Sequence, residues 1–197
     1  MNSLLVTYIL QTEKWTSPEL FETKNRIYTF LNPVSYLIAL ENKSLFEQFD
    51  GIFADGSLLV SAIRLVYGKR VTRRSFDMTS LAPELLNYLM ESRKTLYIVA
   101  SGQEQVECSV RIFQEQYPEL RIAGFRNGYF SSDAEMNKEA SHIVELNPDF
   151  LIVGMGALMQ EKFLLKVKKM GYQGIGFTCG GFVHQTAMKD ALLSELG

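Results

Sequence analysis

One stretch of the chain, FDGIFADGSLLVSAIRLV from Phe49 to Val66, runs apolar and then breaks at Ala54-Asp55-Gly56-Ser57 before helix-like spacing resumes. A carboxylate at such a break either caps the helix that follows, an interaction worth about 1 kcal/mol, or serves as a general base toward a hydroxyl brought within hydrogen-bond reach. Local sequence leaves both roles open for Asp55. Similar breaks recur along the chain. Asn32 follows RIYTFL, Ser101-Gly102 follows TLYIVA, and Asn127-Gly128-Tyr129-Phe130 comes just after LRIAG. Gly154-Met155-Gly156 follows DFLIV with Gln160-Glu161 beyond it, and Cys179-Gly180-Gly181 closes GIGFT. Small and polar residues at these corners leave room for a ligand and offer backbone N–H groups at helix N-termini, which suits phosphate. Lys69, Arg70, Arg73 and Arg74 crowd one short connection, where they either meet a diphosphate or form a solvated basic loop. Lys162, Lys166, Lys168 and Lys169 suit the negative end of their own helix.

These corners need elements to hold them. Apolar runs over Arg26–Asn32, Gly51–Ala54, Thr95–Ala100, Leu120–Gly124, Asp149–Gly156 and Gly174–Cys179 predict strands. Between them, helical spacing covers Pro33–Phe49, Ser57–Tyr67, Phe76–Arg93, Glu104–Tyr117, Asp133–Leu146 and Gln160–Met170. Ser132-Asp133-Ala134-Glu135 has the form of a capping box. This alternation predicts an α/β fold, a Rossmann-like single domain over residues 1–197 with a mainly parallel sheet and helices on both faces. Ligands of such sheets bind beyond the carboxyl ends of the strands, where all the corners above would fall.

Composition narrows the class. With 197 residues, 47% hydrophobic, and a net charge of -2, the chain reads as a globular domain with no basic face for nucleic acid. Cys108 and Cys179 have no partner spacing, and His142 and His184 stand alone, so no metal site or disulfide is expected. A reducing cytoplasm is the default for such cysteine usage. The opening MNSLLVTYILQTEKW lacks a basic leader and a cleavage site, so it does not read as a signal peptide, and no apolar run is long enough to span a membrane. Gly154-x-Gly156 looks like the start of a dinucleotide fingerprint, which makes an NAD-dependent oxidoreductase an alternative. Its third position is Met159, however, and the next strand ends in Cys179 rather than an acid.

Taken in order from Arg26 to Ala187, the corners resemble the WecG/TagA/CpsF glycosyltransferase family. The family's Ala-Asp-Gly stands intact as Ala54-Asp55-Gly56 and its Gly-Tyr-Phe as Gly128-Tyr129-Phe130. Its strand ending in Asn is matched by Asn32, and its Gly-x-Gly-x-Pro-Lys-Gln-Glu by Gly154 to Glu161. Departures occur at Leu158 and Met159 (Pro and Lys in the family), Thr72 and Ser75 (Arg and Gly), Phe30 (often Thr) and His184 (Asp), while Asp77 keeps its place. The resemblance implies transfer of an N-acetylmannosamine-type sugar or hexose from a UDP-sugar to a polyprenyl-diphosphate-linked acceptor, in bacterial surface polysaccharide or teichoic acid synthesis. It further implies inverting chemistry without metal or other cofactor, at the inner face of the cell membrane. Asp55 is then the expected base. Asn32, Gly56, Arg73, Arg74, Asp77, Gly102, Gly128, Tyr129, Gly156, Gln160, Glu161 and His184 are the expected substrate contacts. Arg73 or Arg74 would replace the family's arginine. Relatives carry a basic C-terminal appendage that aids membrane association and completes the site, and they self-associate. Here the chain stops at MKDALLSELG, so as given it is expected to be poorly active. A nucleotide-binding module without catalysis is the other alternative.

Overall fold

The computed structural model describes residues 4–195, with side chains as far as residue 189. Six strands, β1 (Arg26–Leu31), β2 (Gly51–Ala54), β3 (Thr95–Ala100), β4 (Arg121–Arg126), β5 (Phe150–Gly154) and β6 (Ile175–Thr178), form one sheet. Their order is β2-β1-β6-β5-β3-β4 and every pairing is parallel. Each lies within two residues of the run that predicted it.

The strands read as continuous apolar runs because both faces of the sheet are covered. In β1, Ile27 and Leu31 enter one core while Tyr28 and Phe30 enter the other; in β5, Leu151 and Val153 part from Phe150 and Ile152 in the same way. The first core is closed by α1 (Leu4–Thr12), α3 (Pro33–Glu41), α4 (Lys43–Phe46), α5 (Ser57–Tyr67), α8 (Asp133–Leu146) and α9 (Met159–Lys169). The second is closed by α2 (Ser17–Glu22), α6 (Leu81–Ser92), α7 (Gln103–Gln116) and α10 (Phe182–Glu195). Phe177 of β6 anchors this second layer, with the rings of Phe21, Tyr28, Phe30, Phe76 and Phe150 all around it.

The helices depart from the sequence reading in five places: α2 and α10 form where no helix is predicted, and the other three departures each have a local cause. The helix predicted over 33–49 breaks at Asn42, whose side-chain amide donates to the Ile38 carbonyl and whose backbone leaves helical geometry. The helix predicted from Phe76 begins only at Leu81, because Asp77 draws the Thr79 N–H (2.7 Å) and hydroxyl (2.6 Å) into a tight turn. The apolar opening stretch, left unassigned above, forms α1. It buries Leu5, Val6 and Ile9, and the Thr12 hydroxyl donates to the Ile52 carbonyl of β2 at 2.6 Å.

The strand order sets where a cleft can open. From β3 the chain moves outward to β4, whereas from its neighbour β5 it moves the opposite way to β6, so the turns after β3 and β5 diverge. Beside that gap the turn after β6 crosses the end of β5 so closely that only glycine fits at 154. A Cβ there would lie 2.6 Å from the Gly180 carbonyl oxygen and 2.8 Å from the Cys179 sulfur. Gly154→Ala is therefore expected to cost about 1–3 kcal/mol through forced overpacking, read as a lower urea midpoint. An unchanged midpoint would contradict this packing.

Candidate active site

A cleft of about 1020 Å³ opens at the carboxyl ends of the strands. The turns around it use the left-handed backbone region. Gly56 after β2 (φ 85), Ser101 after β3 (φ 54), Gly156 and Leu158 after β5 (φ 83 and 73) and Gly180 after β6 (φ 52) all turn the chain this way. Glycine adopts this geometry freely, but Ser101 and Leu158 do so at a cost of order 1–3 kcal/mol each. Hydrogen bonds hold them there. The Ser101 N–H donates to the Gly154 carbonyl and its own carbonyl accepts from the Gly128 N–H, while the Leu158 N–H donates to the Glu161 carboxylate at 2.7 Å.

Two carboxylates face the cleft, and their surroundings differ. Asp77 accepts from Ser75 (2.8 Å), from both Thr79 donors and from Arg73 Nη2 at 2.7 Å. Burial works to raise its pKa, but these hydrogen bonds and the guanidinium outweigh burial and lower it. Asp55 has far less. Its N–H continues the sheet by donating to the Leu31 carbonyl, yet its carboxylate meets only the Gly56 N–H and Arg73 Nε at 3.9 Å. Burial is the main influence and raises its pKa; the Asp77 charge adds to the rise, and Arg73 and Gly56 only partly oppose it. Nor is Asp55 a helix cap, because Gly56 holds the N-cap of α5 with no side-chain cap.

Beneath the cleft lies a polar network inside the first core. Glu161 is fully buried and accepts from the Thr29 hydroxyl (2.9 Å), the Gln160 amide (2.9 Å) and the Leu158 N–H. Thr178 donates in turn to Thr29, and the Gln160 carbonyl oxygen accepts from the Gly180 N–H at 3.2 Å. Both ends of the Gln160 amide are thus engaged within the protein, tying α9 to the turn after β6. Glu161 reaches no part of the cleft surface, in contrast to the substrate contact expected of it.

The other predicted residues divide cleanly. Asn32, Gly102, Gly128, Tyr129, Gly156 and His184 line the same cleft as Asp55, Asp77 and Gln160. Asn32 caps α3, its carbonyl oxygen accepting from the Val34 and Ser35 N–H groups, so only its amide nitrogen is left to donate outward. Tyr129 is highly exposed, on a loop built around Arg126, whose guanidinium donates to the Asn127 and Tyr129 carbonyls and lies 4.0 Å over the Phe130 ring. Gly56 and Arg73 stand behind the cleft wall, Arg73 acting on it through the two aspartates. Arg74 points away, donating to the Trp15 carbonyl at 2.7 Å with its guanidinium over Phe53, so of the two it is Arg73 that reaches the aspartates of the cleft. Sequence reasoning missed Phe76, Gln105, Phe182 and Gln185, which also line the cleft. Gln105 and Gln185 sit in first helical turns just past Gly102 and Gly181, and that position was the available signal. Cys179 lies on the cleft floor, but burial pushes its thiol up to about 12, so it is no nucleophile.

The sequence matches the Glycosyl transferase WecG/TagA/CpsF family over residues 10–190. The chain belongs to this family. It is 32% identical over 163 residues, covering 83% of this chain and 68% of the relative, to the UDP-Gal:alpha-D-GlcNAc-diphosphoundecaprenol beta-1,4-galactosyltransferase of Shigella boydii. It is 23% identical over 185 residues, 92% of this chain and 69% of the relative, to the N-acetylglucosaminyldiphosphoundecaprenol N-acetyl-beta-D-mannosaminyltransferase of Bacillus subtilis (strain 168). The glycosyl transferase architecture accounts for Gly154-x-Gly156 without a dinucleotide, since Gly154 answers the crossing Gly180 and Gly156 a left-handed turn.

Several departures from the family's pattern sit at the cleft. Phe30 stacks on Phe53 at 5.3 Å and meets Phe76 edge-on, and Met159 and His184 line the cavity. Thr72 donates its N–H to Glu13 at 2.7 Å, pinning the basic connection to the turn after α1.

The environment of Asp55 has a consequence for stability. A folded-state pKa above 3.8 means that the ionised carboxylate is penalised in the folded protein at neutral pH, a penalty that vanishes below 3.8, where the group is protonated in both states. Asp55→Asn is therefore expected to raise the melting temperature at about pH 7 and to lose that advantage as the pH falls toward 3.8. A variant less stable than the parent at neutral pH would show that this carboxylate is a structural anchor.

Proposed function

We propose that the cleft transfers a sugar, of N-acetylmannosamine type or a hexose, from a UDP-sugar to a hydroxyl of a polyprenyl-diphosphate-linked N-acetylglucosamine, with Asp55 as general base. The observation that carries this reading is the contrast between the two aspartates. Asp77 is locked by four donors, whereas Asp55 is half-buried, loosely tethered and raised in pKa. A base needs that freedom and that basicity, yet it must still be ionised near neutrality.

In the proposed reaction Asp55 takes the proton of the acceptor hydroxyl as its oxygen bonds to the anomeric carbon. The bond from that carbon to the diphosphate oxygen breaks, and UDP leaves with the electron pair. Attack opposite the leaving group inverts the anomeric centre, in keeping with the beta products in the relatives' names. Arg73 orients Asp55 while its main ion pair to Asp77 keeps it in place. Negative charge building on the diphosphate meets the N-terminus of α7, where the N-cap Gly102 has no side-chain cap. The first N–H groups of that helix provide the stabilisation in a mechanism without metal. Tyr129 offers an exposed ring for the uracil, and the Asn32 amide nitrogen a donor for a sugar hydroxyl. On this reading the reaction lies at the inner face of the cell membrane, with the protein peripheral to it.

With UDP-galactose or UDP-N-acetylmannosamine and a polyprenyl-diphosphate N-acetylglucosamine acceptor, Asp55→Asn is expected to lower kcat at least about a hundredfold, the low end for a positioned base. Stabilisation of the variant by UDP should persist. Turnover near that of the parent would remove Asp55 from this role.

A further inference from the structure

The described aliphatic residues most at odds with water lie on two helices of one side of the sheet. The five most exposed large aliphatic side chains are Val34 and Leu37 on α3 and Leu58, Leu65 and Val66 on α5, with Leu65 at 87%. On α5, Leu58, exposed Ala62, Leu65 and Val66 follow the i, i+4, i+7, i+8 spacing of one helix face. That face adjoins the one that buries Leu59 and Ile63, so α5 is apolar beyond what the core uses. The two helices follow the adjacent strands β1 and β2 on the same side of the sheet. Both begin at the cleft: Val34 is two residues past Asn32, and Leu58 three past Asp55.

Basic residues gather at the far end of α5. Arg64, near the end of α5, and Lys69 and Arg70 just beyond it are exposed and have no ion pair among the described residues. Glu41, at the far end of α3, is an exposed acid on that helix. No described helix is long and apolar enough to cross a membrane.

We infer that the α3–α5 face seats the protein on an anionic bilayer, with Leu58, Leu65 and Val66 in the interfacial layer and Arg64, Lys69 and Arg70 on lipid phosphates. An apolar helix face flanked by basic residues is the arrangement that binds such a surface, and scattered single hydrophobes are not. The inference rests on the lipid-linked acceptor of the proposed function. It adds the surface, which opens beside Asp55 so that an acceptor headgroup enters the cleft from the bilayer while its chain stays in lipid.

The test is co-sedimentation of the full chain with phosphatidylglycerol/phosphatidylcholine vesicles and with phosphatidylcholine vesicles alone, alongside its mass by light scattering and its melting shift with UDP. Binding is expected to the anionic vesicles and to weaken with salt. L65E/V66E and, separately, K69E/R70E should each reduce it at least about tenfold, while the UDP shift, which reports the cleft, stays as in the parent. Absence of vesicle binding by the parent, or undiminished binding by both variants, overturns the assignment. So does a parent dimer that L65E/V66E converts to monomer without any lipid dependence, since the face would then belong to a second copy. A parent that binds vesicles as described but shows no UDP shift contradicts the transferase reading and leaves the surface standing.

Discussion

Because all six strands run the same way, every strand-to-helix turn carrying a candidate residue falls on one edge of the sheet. That constraint concentrates Asn32, Asp55, Gly102, Gly128, Gly156 and His184 in one cleft although they span most of the chain. It also forces the turns to compete for space, so the end of β5 must be glycine where the turn after β6 passes. Ser101 and Leu158 nearby take backbone geometry they would not choose alone. The network of Glu161, Thr29, Gln160 and Thr178 holds the turns after β5 and β6, while backbone hydrogen bonds to Gly154 and Gly128 hold Ser101. Burial raises the Glu161 pKa, and the hydrogen bonds it accepts only partly oppose that rise, so the group works as a fixed hub rather than a reagent.

Within that frame the proposed chemistry depends on an asymmetry. One guanidinium serves two carboxylates, close to Asp77 at 2.7 Å and distant from Asp55 at 3.9 Å. The near pair fixes the guanidinium, and the far carboxylate keeps the raised pKa that the proposed role needs. Were Arg73 to favour Asp55 instead, burial would no longer dominate and the base would be weaker. The helix-cap role that local sequence also permits for Asp55 falls to Gly56, whose left-handed backbone starts α5 with no side chain involved.

Much of this was legible beforehand, for physical reasons that can be named. The strands were readable because burial on both faces leaves a dense apolar run, and α5 and α8 because their spacing and flanking residues agree. The cleft was readable because parallel topology fixes which end of each strand matters. Side-chain direction was not. Arg73 and Arg74 are neighbours in an irregular connection with no periodicity to separate them, and only the packed position of Trp15 and Phe53 turns Arg74 away. Glu161 sits beside Gln160 in sequence, but one helical step rotates it from the cleft rim into the core. Phe76 and Phe182 were hidden for a related reason, since an aromatic residue reads as core whether or not its edge reaches a cavity. Asn42 and Asp77 broke predicted helices through side-chain hydrogen bonds that compete with the backbone ladder, an effect that apolar spacing does not register.

The account stands or falls on where the nucleotide lies. A crystal structure of the chain with an unreactive UDP-sugar should place the diphosphate against the first turn of α7 near Gly102, with the anomeric carbon facing Asp55 across a gap wide enough for an acceptor hydroxyl. A nucleotide bound outside the cleft, or one whose sugar lies on the far side from Asp55, would contradict it.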